Sequence, residues 1–164
     1  MSKVLLEIAN LNNIPLNERV ELNPMVEEII ADLSLLADKK NITLSTTGNS
    51  TITGSDTLLY QMIYNLVENA IKYNNQDGSV SININNDDKY TYIQVKDTGN
   101  GIPKEYQETI FQPFFRIDKS RNRQFGGVGL GLALVYEIAK LHNGSIYVKD
   151  SNNNGTTIEV KMEH

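Results

Sequence analysis

The chain has 164 residues, 40% of them hydrophobic and 21% charged, no cysteine, and a formal net charge of -5 at pH 7. This length allows one domain with a sizeable core. The lack of cysteine excludes disulfides and cysteine-ligated zinc, and the negative charge argues against a general nucleic-acid binder. Because no apolar run could span a bilayer and no signal-like leader opens the chain, we expect a soluble fragment without direct membrane contact.

The first segment shows helical spacing of apolar residues that ends at the polar run 12–15. We interpret residues 1–22 as the end of an upstream helix plus a linker, and residues 23–164 as the main domain. Asn23 and Pro24 predict the start of a helix, with Asn23 as the N-cap and Pro24 at the first helical position. An apolar stripe carries the predicted helix to Lys39.

Two short strand candidates, residues 41–45 and 51–53, precede a helix for which Ser55 is the predicted N-cap. We call it the asparagine helix, because Asn65, Asn69, Lys72 and Tyr73 recur along it at helical spacing, opposite an apolar face. Two carboxamides, a cation and an aromatic ring suit a ligand with a metal ion, anionic oxygens and a flat base, as in Mg-ATP. The alternative is an ordinary wet helix face.

Two strands with alternating apolar residues follow, and the second strand ends at Asp97. This residue continues the inward-facing row of Ile93 and Val95, so its carboxylate is predicted to point inward. A buried carboxylate there could accept a hydrogen bond from an exocyclic amine such as adenine N6, and Gly99 and Gly101 would let the backbone approach the base. The alternative is that Asp-x-Gly-x-Gly forms only a turn.

A glycine-rich loop, residues 126–132, runs into a predicted helix over 129–142. Backbone amides and a helix N-terminus favour phosphate binding there, and the preceding residues 116–123 hold four cations against one acid. A Walker-type loop would require Gly-Lys-Ser/Thr, which is absent. A Rossmann loop would require a third glycine at Leu132 and an apolar strand just before Gly127, so both alternatives fail.

A closing hairpin is predicted from 146–148 and 158–162. Because consecutive strand pairs have hairpin-length connections, the sequence predicts an α+β fold, a two-layer α/β sandwich with a mixed, mostly antiparallel sheet and helices on one face.

In this order, the motifs resemble the catalytic ATP-binding domain of bacterial sensor histidine kinases. The asparagine helix, the Asp97–Gly101 turn, the Phe111–Arg116 motif, the glycine loop and Gly155-Thr156 carry the resemblance over residues 23–164. It implies the Bergerat ATP-binding fold, with ATP and Mg²⁺ as cofactors. It also implies phosphoryl transfer to a histidine on a separate dimerisation domain, onward transfer to a response regulator, and a cytoplasmic position in a membrane-anchored sensor.

The resemblance also implies roles for individual residues. Asn69 would ligate Mg²⁺, Lys72 and Arg116 would meet phosphate oxygens, Tyr73 would pack on adenine, and Asp97 would hold the adenine amine. Residues from about 103 to 127 would form a mobile lid. The implied nucleotide-binding set is Asn65, Asn69, Lys72, Tyr73, Asp97, Gly99, Gly101, Ile102, Gly127, Gly129, Leu130, Gly131, Leu132 and Thr156; the implied catalytic residues are Asn69, Lys72 and Arg116.

One sequence position distinguishes a histidine kinase from the ATP hydrolases and serine kinases of the same superfamily. ATP hydrolases and serine kinases of this superfamily place a glutamate four residues before the metal asparagine, where this chain has Asn65. Glu68 is expected to point away from Asn69, so we expect slow intrinsic hydrolysis. A serine kinase is therefore disfavoured, and a non-catalytic nucleotide-binding or docking module remains the alternative.

The aromatic and histidine residues carry three further expectations. Phe111, Phe114 and Phe115 are interpreted as a hydrophobic anchor for the lid, with docking onto dimerisation helices as the alternative. His142 is predicted to interact with a helix dipole, and His164 to be incidental.

Overall fold

The computed structural model of the chain describes residues 14–112 and 128–164, with side chains in the second range from residue 132. Its strands are β1 Glu18–Glu21, β2 Thr43–Thr47, β3 Thr51–Gly54, β4 Ser79–Asn86, β5 Tyr90–Asp97, β6 Gly144–Asn152 and β7 Gly155–Glu163. Its α-helices are α1 Leu22–Asp32, α2 Ser34–Asp38, α3 Asp56–Lys72 and α4 Val128–Leu141. Two 3₁₀ turns, Lys104–Tyr106 and Thr109–Phe111, follow β5.

The main sheet has five strands in the order β2-β4-β5-β7-β6. Its β2–β4 pair is parallel and the other three pairs are antiparallel, which confirms the predicted mixed, mostly antiparallel sheet. Alternate residues such as Ile82, Ile93 and Val160 are fully buried against the helices, as a sheet covered on one face requires. The predicted two-layer α+β fold is confirmed.

The asparagine helix, α3, contributes much of the core. Its predicted apolar face is buried, with Leu59, Met62, Ile63 and Val67 fully enclosed. The predicted cap is also present, since Ser55 Oγ accepts a hydrogen bond from the Leu58 N–H at 3.2 Å. Asp56 lies in the first turn and Lys72 in the last, each complementing the helix dipole.

The N-terminal prediction needs correction at the predicted linker. Strand β1 pairs antiparallel with β3, placing Val20 opposite Ile52. Both side chains are buried, as is Leu22, so the chain from Glu18 belongs to the folded body. The upstream helix predicted before it lies among residues 1–13, outside the described residues.

The predicted cap of α1 is wrong. The helix begins at Leu22, with Glu21 at the cap and no side-chain capping bond. Asn23 is engaged elsewhere, because its backbone N–H donates to Asn49 Oδ1 at 2.8 Å and its Nδ2 donates to the Gly48 carbonyl at 3.1 Å. The single helix predicted as far as Lys39 is interrupted at Leu33 and continues as α2.

The prediction for His164 is wrong, and the prediction for His142 needs correction, because His142 contacts the end of its helix as a neutral ring. His142 is buried, its Nδ1 lies 2.8 Å from the Ile138 carbonyl, and its Nε2 accepts from the Ser55 N–H at 3.1 Å. Burial lowers the pKa of His142, and a ring that accepts at Nε2 is neutral, so it offers no cation to a helix dipole. His164 is not incidental, since its Nε2 lies 2.8 Å from the Oγ1 of buried Thr91.

Candidate active site

A cleft opens between the asparagine helix, the end of β5, the strand β7 and the first described side chain of α4. Most of its wall is apolar, with a few polar groups converging at one end. The lining residues are Leu66, Asn69, Ala70, Tyr73, Val95, Asp97, Asn100, Gly101, Ile102, Ile110, Leu132, Thr156 and Ile158. An apolar slot with few polar groups is the usual form of a site for a small, flat ligand.

Asp97 is the acidic residue of this wall. One carboxylate oxygen, Oδ1, accepts hydrogen bonds from the Gly99 N–H at 2.9 Å and the Thr156 N–H at 3.2 Å. The other oxygen, Oδ2, accepts none from the described residues. Burial raises the pKa of Asp97, against the opposing effect of the two backbone hydrogen bonds. A charge held in an apolar cleft with one oxygen unsatisfied favours a ligand that brings its own donor.

The turn after Asp97 depends on backbone conformation. Gly101 has φ of +83°, in the left-handed region, and a Cβ there would overlap the carbonyl oxygen of Asn152. A side chain at this position would therefore push the turn away from the hairpin and from the cleft that it lines. The close approach seen here is to the hairpin, and the predicted approach of this backbone to a base stays a prediction.

Asn69 projects from the asparagine helix into the cleft. Its side-chain nitrogen is buried and has no hydrogen-bond partner among the described residues. Buried amides are normally satisfied within the protein, and the two ends of an amide can be exchanged by rotation. The side chain is therefore ready to bind a ligand through its nitrogen or its oxygen.

Lys72 and Glu68 form an i,i+4 ion pair at the end of the helix, with Nζ 3.7 Å from Oε1. Lys72 is 48% exposed and does not line the cleft. Glu68 also lies outside the cleft, as expected, although it faces Lys72. Burial, and then the charge of Glu68, raises the pKa of Tyr73 to about 12, so the phenol that lines the cleft is neutral.

The cleft gathers about half of the implied nucleotide-binding set. Those that line it are Asn69, Tyr73, Asp97, Gly101, Ile102, Leu132 and Thr156. Asn65 and Lys72 do not line it, and Gly99 contributes a backbone donor behind Asp97. Arg116 and Gly127 lie outside the described residues, as do Phe114 and Phe115. Gly129, Leu130 and Gly131 fall in the first turn of α4, before its described side chains.

Of the predicted lid, only the part before residue 113 is described. It contains the two 3₁₀ turns, and its Ile110 and Phe111 are buried in the main core. The burial of Phe111 agrees with its interpretation as a hydrophobic anchor for the lid.

The apolar part of the cleft wall was not predicted from the sequence. Leu66, Ala70, Val95, Ile110, Ile158 and the polar Asn100 also line the cleft. Periodicity could have found most of them. Leu66 and Ala70 share a helix stripe with Asn69 and Tyr73, so the polar stripe borders the apolar face instead of opposing it. Val95 and Ile158 lie two residues from Asp97 and Thr156 on the same faces of their strands.

Two absences apply to residues 14–112 and 128–164. No group of three or more His, Cys, Asp or Glu side chains there is arranged to hold a metal ion. No helix in the same ranges combines the length and apolar character needed for a membrane crossing.

Similar proteins share this architecture. Residues 54–164 match the model of the family described as histidine kinase-, DNA gyrase B- and HSP90-like ATPases. The chain is 36% identical over 163 residues to the sensor-like histidine kinase SenX3 of Mycolicibacterium smegmatis, covering 96% of this chain and 42% of SenX3. It is 44% identical over 106 residues to the sensor histidine kinase WalK of Bacillus subtilis, covering 63% of this chain and 17% of WalK.

Solved structures give the same result. The nucleotide-free catalytic domain of the histidine kinase ThkA matches with a TM-score of 0.75 at 26% identity, covering 89% of this chain and 97% of that domain. Full-length ShkA matches with a TM-score of 0.82 at 23% identity, covering 97% of this chain and 34% of ShkA, a likeness of fold alone. The chain spans less than half the length of SenX3 and of WalK. It belongs to the family of histidine kinase-, DNA gyrase B- and HSP90-like ATPases.

Proposed function

We propose that this chain is the ATP-binding catalytic domain of a sensor histidine kinase. It binds ATP with Mg²⁺ and transfers the γ-phosphate to a histidine on a separate dimerisation domain, for onward transfer to a response-regulator aspartate. In this proposal the residues before Glu18 lead from that dimerisation domain, and the folded body from Glu18 onward is the catalytic unit. The unit lies on the cytoplasmic side of a membrane-anchored parent.

The observation that carries the proposal is Asp97 at the end of an apolar cleft. An adenine ring would be covered by side chains such as Leu66 and Ile158, while its exocyclic amine would donate to the free Oδ2. Oδ1 is already held by two backbone amides, so the carboxylate is positioned before a ligand arrives. Burial of this carboxylate in the cleft makes an amine donor more valuable than it would be in water.

The residues present fit a magnesium ion delivered with the nucleotide. The buried Nδ2 of Asn69 has no hydrogen-bond partner among the described residues, and rotation of the amide would turn its oxygen toward the ion. Mg²⁺ is commonly held by one or two protein oxygens together with phosphate oxygens and water. When bound, the ion would neutralise charge on the phosphates. Lys72, one turn further along, would supply a cation after exchanging Glu68 for a phosphate oxygen.

The same site supports transfer over hydrolysis. The carboxylate nearest to Asn69 in the sequence, Glu68, is turned toward Lys72 and lies outside the cleft. Asn65 cannot take a proton at neutral pH. Phosphoryl transfer with a nucleophile supplied by another domain relies on positioning and charge stabilisation, which this site offers. Among similar proteins, ShkA has been solved with AMPPNP and ThkA with the response regulator TrrA, which agrees with the proposed ligand and partner.

The test is to join the chain to a dimerisation domain that bears the acceptor histidine and to supply ATP labelled at the γ-phosphate. We expect acid-labile label on that domain, dependent on Mg²⁺, and none after the acceptor histidine is changed to alanine. The chain alone should bind ATP in a calorimetric titration and release phosphate slowly.

Three outcomes would contradict the proposal. Acid-stable label on serine would indicate a serine kinase, and rapid phosphate release by the chain alone would indicate a hydrolase. Nucleotide binding without any transfer to the joined domain would indicate the non-catalytic docking module.

A further inference from the structure

The β6–β7 hairpin carries a polar contact to the cleft that the proposed nucleotide-binding set does not include. Ser151 Oγ accepts a hydrogen bond from the Ile102 N–H at 2.8 Å. The same oxygen lies 2.8 Å from Thr156 Oγ1 on the facing strand. Because the Thr156 N–H donates to Asp97, the contact joins the two ends of the Asp97–Ile102 segment to one hairpin.

A β-bulge places Ser151 at this contact. Strand β6 pairs with β7 in one register from Gly144 to Val148 and in a register shifted by one residue from Asp150, which leaves Lys149 as the extra residue. Strand side chains alternate between faces, so without the bulge Ser151 would lie on the opposite face from Val148. The bulge returns it to the cleft face, and bulges commonly re-aim a side chain beside an active site.

The hairpin and the turn also fit each other through their backbones. Gly155 has φ of +140°, and a Cβ there would overlap the Asp97 carbonyl oxygen. Gly101 packs in the same way against Asn152. The hydroxyl of Ser151 therefore lies at the centre of a close backbone contact, where it satisfies an N–H that the packed hairpin would keep from water.

We infer that Ser151 is a positioning residue for base recognition, setting where Asp97 and Ile102 stand relative to a bound purine. The inference rests on the proposed function. Ser151 does not line the cleft and acts through its two neighbours, Ile102 on one wall and Thr156 on the other. Loss of its hydroxyl would leave the Ile102 N–H without a partner and let the segment shift, which degrades the alignment of Oδ2 with an amine.

The test compares Ser151→Ala, Ser151→Thr and the control Ser145→Ala, which removes a hydroxyl from an exposed position on the same strand. Each variant is titrated calorimetrically, with Mg²⁺, with ATP and with the purine nucleoside triphosphate that lacks the 6-amino group. Thermal unfolding of each variant is measured in parallel. The ratio of the two affinities reports amine recognition separately from phosphate binding and from stability.

We expect Ser151→Ala to lower ATP affinity about five- to tenfold, as loss of one buried hydrogen bond does, and to lower the affinity ratio by a similar factor. Ser151→Thr keeps the hydroxyl and should retain both quantities, and Ser145→Ala should match the wild type. Ser151→Cys, which keeps the shape and weakens the acceptor, replaces the alanine variant if that variant does not fold.

The inference is overturned if Ser151→Ala keeps the wild-type ratio, including the case in which both affinities fall equally. Failure of the proposed function looks different, because the wild-type chain would then bind neither nucleotide, and the inference would fall with it. Wild-type binding of ATP with an unchanged ratio in Ser151→Ala overturns the inference alone.

Discussion

Two carboxylates on opposite faces of the same sheet, Glu159 buried and Asp97 half-buried, behave in opposite ways. Glu159 is 5% exposed on the face away from the helices, and its carboxylate is bonded to Gln94, Tyr147 and Lys149. These partners lower its pKa although burial acts to raise it. Asp97, on the cleft face, has two backbone donors on one oxygen, and burial raises its pKa. A carboxylate that serves structure is satisfied within the chain, whereas the one in the cleft is incompletely satisfied.

The largest effect should come from removing the charge in the cleft. In Asp97→Asn, the amide oxygen can still accept from Gly99 and Thr156, while the amide nitrogen meets the adenine amine donor to donor. We expect ATP affinity to fall roughly 100-fold, the scale of a lost charged hydrogen bond. The free energy of unfolding at pH 7 should not fall, because an incompletely paired, half-buried charge has been removed.

Calorimetric titration and urea unfolding measure these two quantities. If Asp97→Asn unfolds more easily and binds ATP normally, Asp97 has a structural role like that of Glu159, and its role in ligand binding is contradicted.

The matched substitution on the other face of the sheet, Glu159→Gln, should lower stability and leave ATP binding intact. Glu159→Gln presents an amide N–H₂ to groups that already donate, Gln94 and Lys149 among them. We expect the free energy of unfolding to fall by about 1–2 kcal/mol, since partners are left unpaired. ATP affinity should stay within about twofold of the wild type, because the side chain faces away from the cleft. A large loss of affinity in this variant would show that the two faces are coupled.

The pH dependence of stability should distinguish the two carboxylates by sign. The raised pKa of Asp97 means that its protonated form is favoured in the fold, so the stability it contributes is present at low pH and lost as pH rises through its folded pKa. The lowered pKa of Glu159 gives a contribution present at higher pH and lost as pH falls.

Urea unfolding from about pH 4 to pH 7 tests this. The free energy of unfolding of the wild type minus that of Asp97→Asn should decrease as the pH rises. The same difference taken with Glu159→Gln should increase. If both differences changed with pH in the same direction, the opposite behaviour of the two carboxylates would be contradicted.

The smallest effect concerns a buried base. Burial lowers the pKa of His142, so its contribution is present above the unperturbed histidine pKa of about 6.5 and lost as pH falls. In His142→Gln, an amide can still accept from Ser55 without titrating. We expect the free energy of unfolding of this variant to be about 1 kcal/mol below that of the wild type at pH 7. This difference should shrink as the pH falls. A constant gap would mean that His142 does not titrate as a neutral buried ring.

The sequence predicted what local periodicity controls. The inward position of Asp97 follows from the alternation of Ile93 and Val95, and the cap at Ser55 from the start of an amphipathic helix. Partners distant in sequence could not be predicted in this way. The Ser55 N–H bonds to His142, 87 residues away, and Asn23 bonds to Asn49 at a separation of 26. Strand β1 has one buried residue, Val20, and exists through its pairing with β3.

The candidate site also contains residues that local sequence could predict and a residue that it could not. Motif order singled out Asn69, Tyr73, Asp97 and Thr156, and all four line the cleft. Each lies at a helix or strand position that its neighbours define. Ser151 was missed, since the bulge at Lys149 that turns it toward the cleft is a matter of register between two strands and leaves no local signal in β6.

The most direct test of the account is a calorimetric comparison of ATP with ITP, in the presence of Mg²⁺. The two nucleotides differ at the purine 6-position, where ATP carries an amine and ITP a carbonyl oxygen that would face the Asp97 carboxylate. We predict that ATP binds and that ITP binds at least roughly 100-fold more weakly, the scale of a charged hydrogen bond replaced by an unpaired acceptor. Equal affinity for the two nucleotides would contradict recognition of the base by Asp97.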